Sequence, residues 1–122
     1  MIDFVTEVVT RLKSVNPETY HGINRQTTIT YPYITYDIDS VYVEGNVEGY
    51  NVDIEICDHN TSPIRVLGLE EQIKDSFKDL KILTPDVYIR FKFEGSTRVL
   101  SGDENVIRRN TRLYAKTDWR KK

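Results

Sequence analysis

Apolar residues recur every three or four positions near the start of the chain, and this spacing predicts a helix over residues 2–14. At 3.6 residues per turn, one face of that helix collects Ile2, Val5, Val8, Val9 and Leu12. Pro17 follows closely, and the residue before a proline is disfavoured in the helical conformation. We therefore expect the helix to end before Asn16 and to cover a core with its apolar face.

A second apolar stripe predicts a helix over residues 63–80. Ser62 can cap its first turn, and Pro63 occupies the first helical position, where its missing N–H is not needed. The residues expected to face the core are Ile64, Leu67, Ile73, Phe77 and Leu80.

Alternating apolar and polar residues predict three strands, at residues 33–39, 50–57 and 87–94. Residues 106–117 predict a further strand, whose mixed register favours a bulge or an edge position. Residues 27–31 are candidates for a short strand, residues 41–49 for a hairpin arm or a mobile loop, and residues 118–122 for a frayed end. In the second strand, the side chains expected in the core are Tyr50, Val52, Ile54 and Ile56.

This order of elements predicts a single α+β domain over residues 1–122. We expect a mostly antiparallel β-sheet of four to five strands, with two α-helices packed on one face. The other face is then polar, because the alternation places on it Asp37, Asp53, Glu55, Arg90 and Lys92.

Length and composition narrow the class of protein without identifying it. A chain of 122 residues suits one domain. The single cysteine, Cys57, excludes an internal disulfide and fits a reducing compartment. The sequence holds no run of about 18 apolar residues, so no membrane span is expected. Asp3 and Glu7 near the start do not fit the basic and apolar regions of a signal peptide, so none is expected.

Charge is distributed unevenly along the chain, although the net charge is only −2. Residues 1–61 carry three basic and ten acidic residues, whereas residues 62–122 carry fourteen basic and nine acidic ones. Two interpretations stay open. Either the halves interleave in space and the asymmetry averages out, or an acidic face and a basic face let copies associate head to tail. An isoelectric point near 5.7 argues against a domain built to bind nucleic-acid phosphates.

Carboxylates spaced two residues apart are the first candidates for chemistry. Asp37 and Asp39 share one strand face, as do Asp53 and Glu55, and four such groups together could coordinate Mg²⁺ in a small nuclease. We favour ordinary solvent-facing carboxylates neutralised by arginines, and expect no metal, no cofactor and no enzymatic activity. The run Cys57-Asp58-His59 does not predict a nucleophile with its base, because consecutive residues of a strand point in different directions.

Basic and aromatic residues supply the candidates for an interface. Arg108, Arg112 and Lys116 share strand parity, and the chain holds eight tyrosines, a residue enriched at protein interfaces. Solubilising charge and core packing are the ordinary alternatives for these two groups. The residues expected to contact another subunit or a partner are Val41, Tyr42, Glu44, Glu48, Tyr50, Asp53, Glu55, Arg108, Arg109, Arg112 and Lys116.

The order of these segments resembles that of a known family. An amphipathic helix is followed by Tyr31-Pro32-Tyr33-Ile34-Thr35-Tyr36, a glycine-containing arm, Tyr50-Asn51-Val52-Asp53-Ile54-Glu55-Ile56, a second helix, Val87-Tyr88-Ile89-Arg90-Phe91 and a charged last strand. This arrangement resembles the tail-terminator proteins of long-tailed bacteriophages, also called tail-completion or head–tail joining proteins. The resemblance spans nearly the whole chain and rests on element order, size and the aromatic-Pro-Tyr-aliphatic strand start.

The resemblance implies a structural virion protein with an α+β fold and no catalytic residues. Members of this family form a hexameric ring on the head-proximal end of the tail tube, stop its polymerisation and provide the surface that joins the capsid connector. The implied partners are further copies of the chain, the tail tube protein and the head connector or stopper protein. DNA passes through the lumen without sequence-specific binding. The implied location is the tail of the virion, after assembly in the host cytoplasm.

The residue pattern agrees with a ring in three respects. A ring joins two different surface patches, which the acidic and basic halves could supply. Residues 41–49 could reach a neighbour by extending its sheet. A lumen that passes DNA should not be strongly basic, because phosphate contacts would hold the duplex.

Two alternatives and one prediction accompany this interpretation. The alternatives are a metal-dependent nuclease that uses Asp37, Asp53 and Glu55, and an adaptor that binds a peptide at a sheet edge near residues 106–122. The ring interpretation predicts that changing Arg108, Arg109 and Arg112 to glutamate leaves the monomer folded and weakens its assembly.

Overall fold

Two helices and six strands make up the computed structural model, which describes residues 2–60, 62–100, 102 and 105–119. The helices are α1 (Ile2–Val15) and α2 (Ile64–Phe77), so both helix predictions are confirmed to within three residues at each end. The strands are β1 (Thr19–His21), β2 (Tyr33–Glu44), β3 (Val47–His59), β4 (Lys81–Leu83), β5 (Val87–Val99) and β6 (Val106–Trp119).

The described strands form one sheet in the order β1-β2-β3-β6-β5-β4. β1 and β2 run parallel, and every other neighbouring pair is antiparallel. The α+β prediction of a mostly antiparallel sheet is confirmed, but the sheet has six strands instead of four to five. The extra strands β1 and β4 have three residues each, too few for alternation to reveal them. Residues 27–31 form no strand and lie between β1 and β2.

β6 lies between β3 and β5 in the middle of the sheet, so the predicted edge position is wrong. An adaptor peptide cannot add to this strand, because both of its sides are already paired. The register shifts occur instead in β2, between Tyr42 and Glu44, and in β5, between Phe93 and Gly95. The register of β6 is mixed because Leu113 and Ala115 face the core, whereas Tyr114 lies on the opposite face of the sheet, over Gly49.

Residues 41–49 belong to a long β2–β3 hairpin and not to a mobile loop. The two strands meet at a turn formed by Gly45 and Asn46, and Gly45 has a φ of +53°, a conformation that favours glycine. The hairpin therefore extends the sheet well beyond the predicted strand ends.

The end of β6 is ordered against this hairpin. Asp118 pairs with Val47, and the Trp119 N–H donates to the Asn46 carbonyl at 2.9 Å. The predicted frayed end is therefore wrong for residues 118–119, while residues 120–122 lie outside the described residues.

The core fills the space between both helices and one face of the sheet. The Phe4 ring of α1 stacks on Tyr50 with centroids 4.4 Å apart and on Phe91 at 5.7 Å. Phe77 of α2 packs against the same Phe91 at 5.2 Å. This confirms that two helices cover one face, and the buried strand residues include the predicted Tyr50, Val52, Ile54 and Ile56.

The apolar stripe of α2 was only half correct. Ile73 and Phe77 are buried as predicted, but Ile64 is 78% exposed and Leu67 is 42% exposed, whereas Val66 is fully buried. The residues of α2 that face the sheet begin at Val66 and include Glu70. Because Glu70 is charged, a search for apolar residues at helical spacing does not find this face. Neither helix in the described part of the chain is long and apolar enough to cross a membrane.

Candidate functional site

The face of the sheet opposite the helices carries a polar depression of about 460 Å³. Cross-strand pairing places Asp37 beside Asp53, and Asp53 beside Arg112. The neighbouring row joins Thr35, Glu55 and Asn110. The alternation therefore predicted correctly that carboxylates from two strands gather on this face, which we call the polar face.

Arginines from β6 neutralise two of these carboxylates. Arg112 Nε donates to Asp53 Oδ1 at 3.2 Å, and Arg108 forms an ion pair with Glu55. The hydrogen bond to Glu55 raises the pKa of the Arg108 guanidinium. Among the described residues, no group of three or more His, Cys, Asp or Glu side chains is arranged to hold a metal ion. Two of the three carboxylates that would serve a nuclease, Asp53 and Glu55, are thus engaged in ion pairs.

Arg109 projects from β6 to the opposite face, where it forms an ion pair with Glu70 of α2. A second contact joins Arg109 Nη2 and Glu70 Oε1 at 3.3 Å, and both side chains are less than a quarter exposed. This pair locks the middle of α2 onto the sheet.

The basic run of the second half therefore meets the acidic first half within the same chain, through Asp53 and Glu55. For these ion pairs the structure favours the interleaving interpretation of the charge asymmetry. The change of Arg108, Arg109 and Arg112 to glutamate would set each new carboxylate against an acidic partner in its own chain. Destabilisation of the monomer is now the expected result, and that triple variant is not a clean test of assembly.

The remaining predicted interface residues fall into two groups. Val41 and Glu44 are exposed on the β2–β3 hairpin, and Lys116 lies on the polar face opposite Gly49. Tyr42 belongs to β2, but its side chain lies outside the described residues. The exposed hairpin is thus the part of the predicted set that is open to a partner.

Tyr50 and Glu48 lie on the core side of the same hairpin. Tyr50 is 1% exposed, and its hydroxyl donates to Glu48 Oε2 at 3.3 Å. Burial, with a smaller contribution from the Glu48 charge, raises the pKa of Tyr50 to about 12. Tyr50 is therefore a core residue and presents no contact surface in the monomer.

An ion pair between the buried Asp58 and the half-exposed Arg65 was missed by the sequence analysis. Arg65 Nε donates to Asp58 Oδ2 at 2.9 Å, and Nη2 donates to Oδ1 at 2.5 Å. The Asp58 side chain is completely buried, and its hydrogen bonds raise the pKa of Arg65. The signal was present in the sequence, because Asp58 continues the even-numbered parity of Tyr50 and Ile56. The pair ties the start of α2 to the end of β3.

The side chains of Cys57, Asp58 and His59 do not converge, as expected for consecutive strand residues. Cys57 lies beside Tyr33 on β2, and burial raises the pKa of the Cys57 thiol. Asp58 is engaged with Arg65, and the His59 ring stands 5.7 Å from that of Tyr31. A raised pKa opposes formation of the reactive thiolate.

Comparisons with known proteins find a likeness in fold but none in sequence family. No protein-family model matches the sequence, and no curated protein matches it. Among solved structures, a chain of the virion of a native gene transfer agent particle has a TM-score of 0.68 and 10% sequence identity. The match covers 93% of this chain and 91% of that chain. At this identity, the likeness shows a shared fold over nearly the full length of both chains.

Proposed function

We propose that this protein is a structural virion protein that caps the head-proximal end of a phage-like tail tube as an oligomeric ring. In that role it stops tube polymerisation and presents the surface that joins the capsid connector. The protein acts by assembly and not by catalysis.

The observation that carries the proposal is the fold shared with a virion chain over 93% of this chain. Such coverage on both sides means that the likeness is not confined to a common substructure. The order of elements along this sequence independently resembles the tail-terminator family. Fold alone does not fix function, so the proposal combines the likeness with the chemistry of the polar face and the sheet edges.

The polar face suits a surface that tolerates passing DNA. Two of its arginines pair with carboxylates, Arg112 with Asp53 and Arg108 with Glu55. An arginine held by a carboxylate is less available to a phosphate, so these two pairs lower the affinity of the face for the duplex.

Tube growth in the presence of the protein provides the test. The cognate tail tube protein is polymerised alone, with this protein, or with a folded protein of similar size and charge. Tube lengths are then measured by negative-stain electron microscopy. We expect shorter tubes with a ring at one end only when this protein is present.

Tubes of unchanged length without end density would contradict the proposal. Cleavage of DNA in the presence of Mg²⁺ or Mn²⁺ that disappears in Asp53→Ala would replace it with the nuclease alternative.

A further inference from the structure

Each outer part of the sheet has a stretch of strand without a neighbour among the described residues. β1 pairs with β2 only at Ile34–Tyr36, and β4 pairs with β5 only at Tyr88–Arg90. The uncovered stretches are residues 37–44 of β2 and residues 92–99 of β5, and neither contains a proline. Unpaired strand edges of this kind are templates for pairing with another chain.

At Ser40, the backbone N–H and C=O groups of β2 point away from β3, towards the open edge. The Ile34 N–H donates to Glu18 O, and the Tyr36 carbonyl accepts from the Gly22 N–H, both at 2.8 Å. Even-numbered residues of β2 thus direct their peptide groups to the open side, because this orientation alternates along a strand. Ser40 follows the same parity, on the stretch that β1 leaves uncovered.

At Ser96, the backbone N–H and C=O groups of β5 point away from β6, towards the other open edge. The Phe91 N–H donates to Leu80 O at 2.9 Å, so odd-numbered residues face the open side before the register shift that follows Phe93. The extra residue in that shift transfers the outward orientation to even-numbered residues. Ser96 and Arg98 therefore direct their peptide groups to this open edge.

The two open edges carry opposite charge. The β2 stretch holds Asp37, Asp39 and Glu44 without a basic residue, whereas the β5 stretch holds Lys92 and Arg98 with one acid, Glu94. Two β2 edges would repel each other, and a β2 edge would attract a β5 edge. The arrangement disfavours a symmetric dimer through the β2 edge and favours contact between two different patches, which generates rings.

We infer that residues 37–44 of one copy pair antiparallel with residues 92–99 of the next copy, with Ser40 opposite Ser96. The inference rests on the proposed ring-forming function and names its interface. In this register both stretches pair over their whole length, and Glu44 stands opposite Lys92. β1 of one copy then lies beyond the end of its neighbour's β5, and the neighbour's β4 lies beyond the β2–β3 turn, so neither short strand blocks the contact.

Disulfide cross-linking tests this register. Directly opposed residues of a hydrogen-bonded antiparallel pair have Cα atoms about 5.5 Å apart, within the range of a disulfide. Ser40→Cys with Ser96→Cys, in a Cys57→Ser background checked for folding by circular dichroism, should give a ladder of linked multimers under mild oxidation. Ser40→Cys with Lys81→Cys is the control, since Lys81 lies in β4. Absence of a ladder, or an equal ladder from the control, would overturn the inference.

Proline substitution tests the backbone pairing at equilibrium. Ser40→Pro removes one outward N–H, while Ser40→Ala retains it. Light scattering and native mass spectrometry from micromolar to millimolar protein should show oligomers for the wild type and Ser40→Ala. Self-association of Ser40→Pro should be weaker by about tenfold or more, with a folded monomer. Equal association of the two variants, or a wild type that stays monomeric throughout at low salt, would refute the inference.

The outcomes separate this inference from the proposed function. Normal tube capping by Ser40→Pro would remove the edge interface and leave the capping role intact. Edge-dependent oligomers that never stop tube growth would remove the capping role and leave the interface. Loss of tube binding by Ser40→Pro without any change in self-association would assign the β2 edge to the tube protein and overturn the inference.

Discussion

The ring of Tyr114 lies directly over Gly49 on the neighbouring strand, at a position where a Cβ atom would come within 2.9 Å of two ring carbons. Gly49 sits opposite Lys116 in the β3–β6 pair, and Tyr114 sits opposite Asn51. The aromatic ring thus occupies the space that the glycine leaves on the polar face. This contact explains why a glycine stands near the start of β3, in an otherwise regular strand.

The contact predicts that the effect of Gly49→Ala on stability depends on whether Tyr114 is present. Gly49→Ala alone should destabilise the protein by about 1 kcal/mol, because the Tyr114 ring must move. In a Tyr114→Ala background the same change should be neutral or stabilising, since alanine restricts the unfolded chain more than glycine does. Urea unfolding of the four proteins measures the coupling. Equal effects of Gly49→Ala in both backgrounds would show that the ring exerts no steric constraint.

The Asp58–Arg65 pair predicts a large stability effect from changing either of its two residues. Asp58→Ala should lower the free energy of unfolding by about 1–3 kcal/mol, because it removes the acceptor of two charged hydrogen bonds. Arg65→Lys should also destabilise, since an ammonium group cannot reproduce the bidentate geometry. Chemical denaturation of the single and double variants gives the coupling. Additive effects would mean that the pair does not position α2.

Two buried threonines on β6 should respond oppositely to valine. Thr117 is fully buried, and its hydroxyl has no hydrogen-bond partner in the described part of the chain. Thr117→Val should stabilise the protein by about 1 kcal/mol, because it removes an unsatisfied polar group. Thr111→Val should destabilise by a similar amount, about 1 kcal/mol, since the Thr111 hydroxyl lies 3.1 Å from that of Ser96. Thermal unfolding compares the pair, and shifts in the same direction would contradict the assignment.

Alkaline pH should weaken the fold through Tyr50. Burial raises the pKa of Tyr50 from its ordinary value of 10.0 to about 12, so the folded state favours the neutral phenol. That contribution to stability is complete below pH 10 and is lost as the pH rises to about 12. Tyr50→Phe should therefore show a shallower loss of stability over this interval. The remaining slope belongs to groups such as Tyr33, whose pKa burial also raises. Parallel slopes for wild type and variant would refute the role of Tyr50.

Alternation along the long strands made the core face of the sheet predictable. Tyr50 and Ile54 both face the core as predicted, because each strand buries only one of its two faces. The same parity places Asp58 on the core face, but the burial of its charge depends on Arg65, a residue seven positions away that only the docked helix brings into reach. The pattern of apolar and polar residues along one strand gives no information about an ion-pair partner on another element.

The position of β6 was not predictable for a related reason. The sequence places β6 last, and a last strand with mixed parity resembles an edge. Its central position follows from pairing with both β3 and β5, and the mixed parity follows from Tyr114, which lies over Gly49 on the polar face. The polar face was predictable as a set of residues, but the ion pairs on it depend on the register between strands far apart in sequence.

The short strands β1 and β4 each cover only the start of their partner strand. Because β2 and β5 run in opposite directions, the two short strands lie at opposite ends of the sheet, and this diagonal placement has a geometric consequence for any assembly built on the open edges. Full pairing shifts each copy by about four residues, or about 13 Å, along the strand direction relative to its neighbour. A closed ring can absorb such a stagger only when its strands incline to the symmetry axis, as they do in a sheared barrel. The lengths of β1 and β4 would then determine how far the strands of the ring incline to its axis.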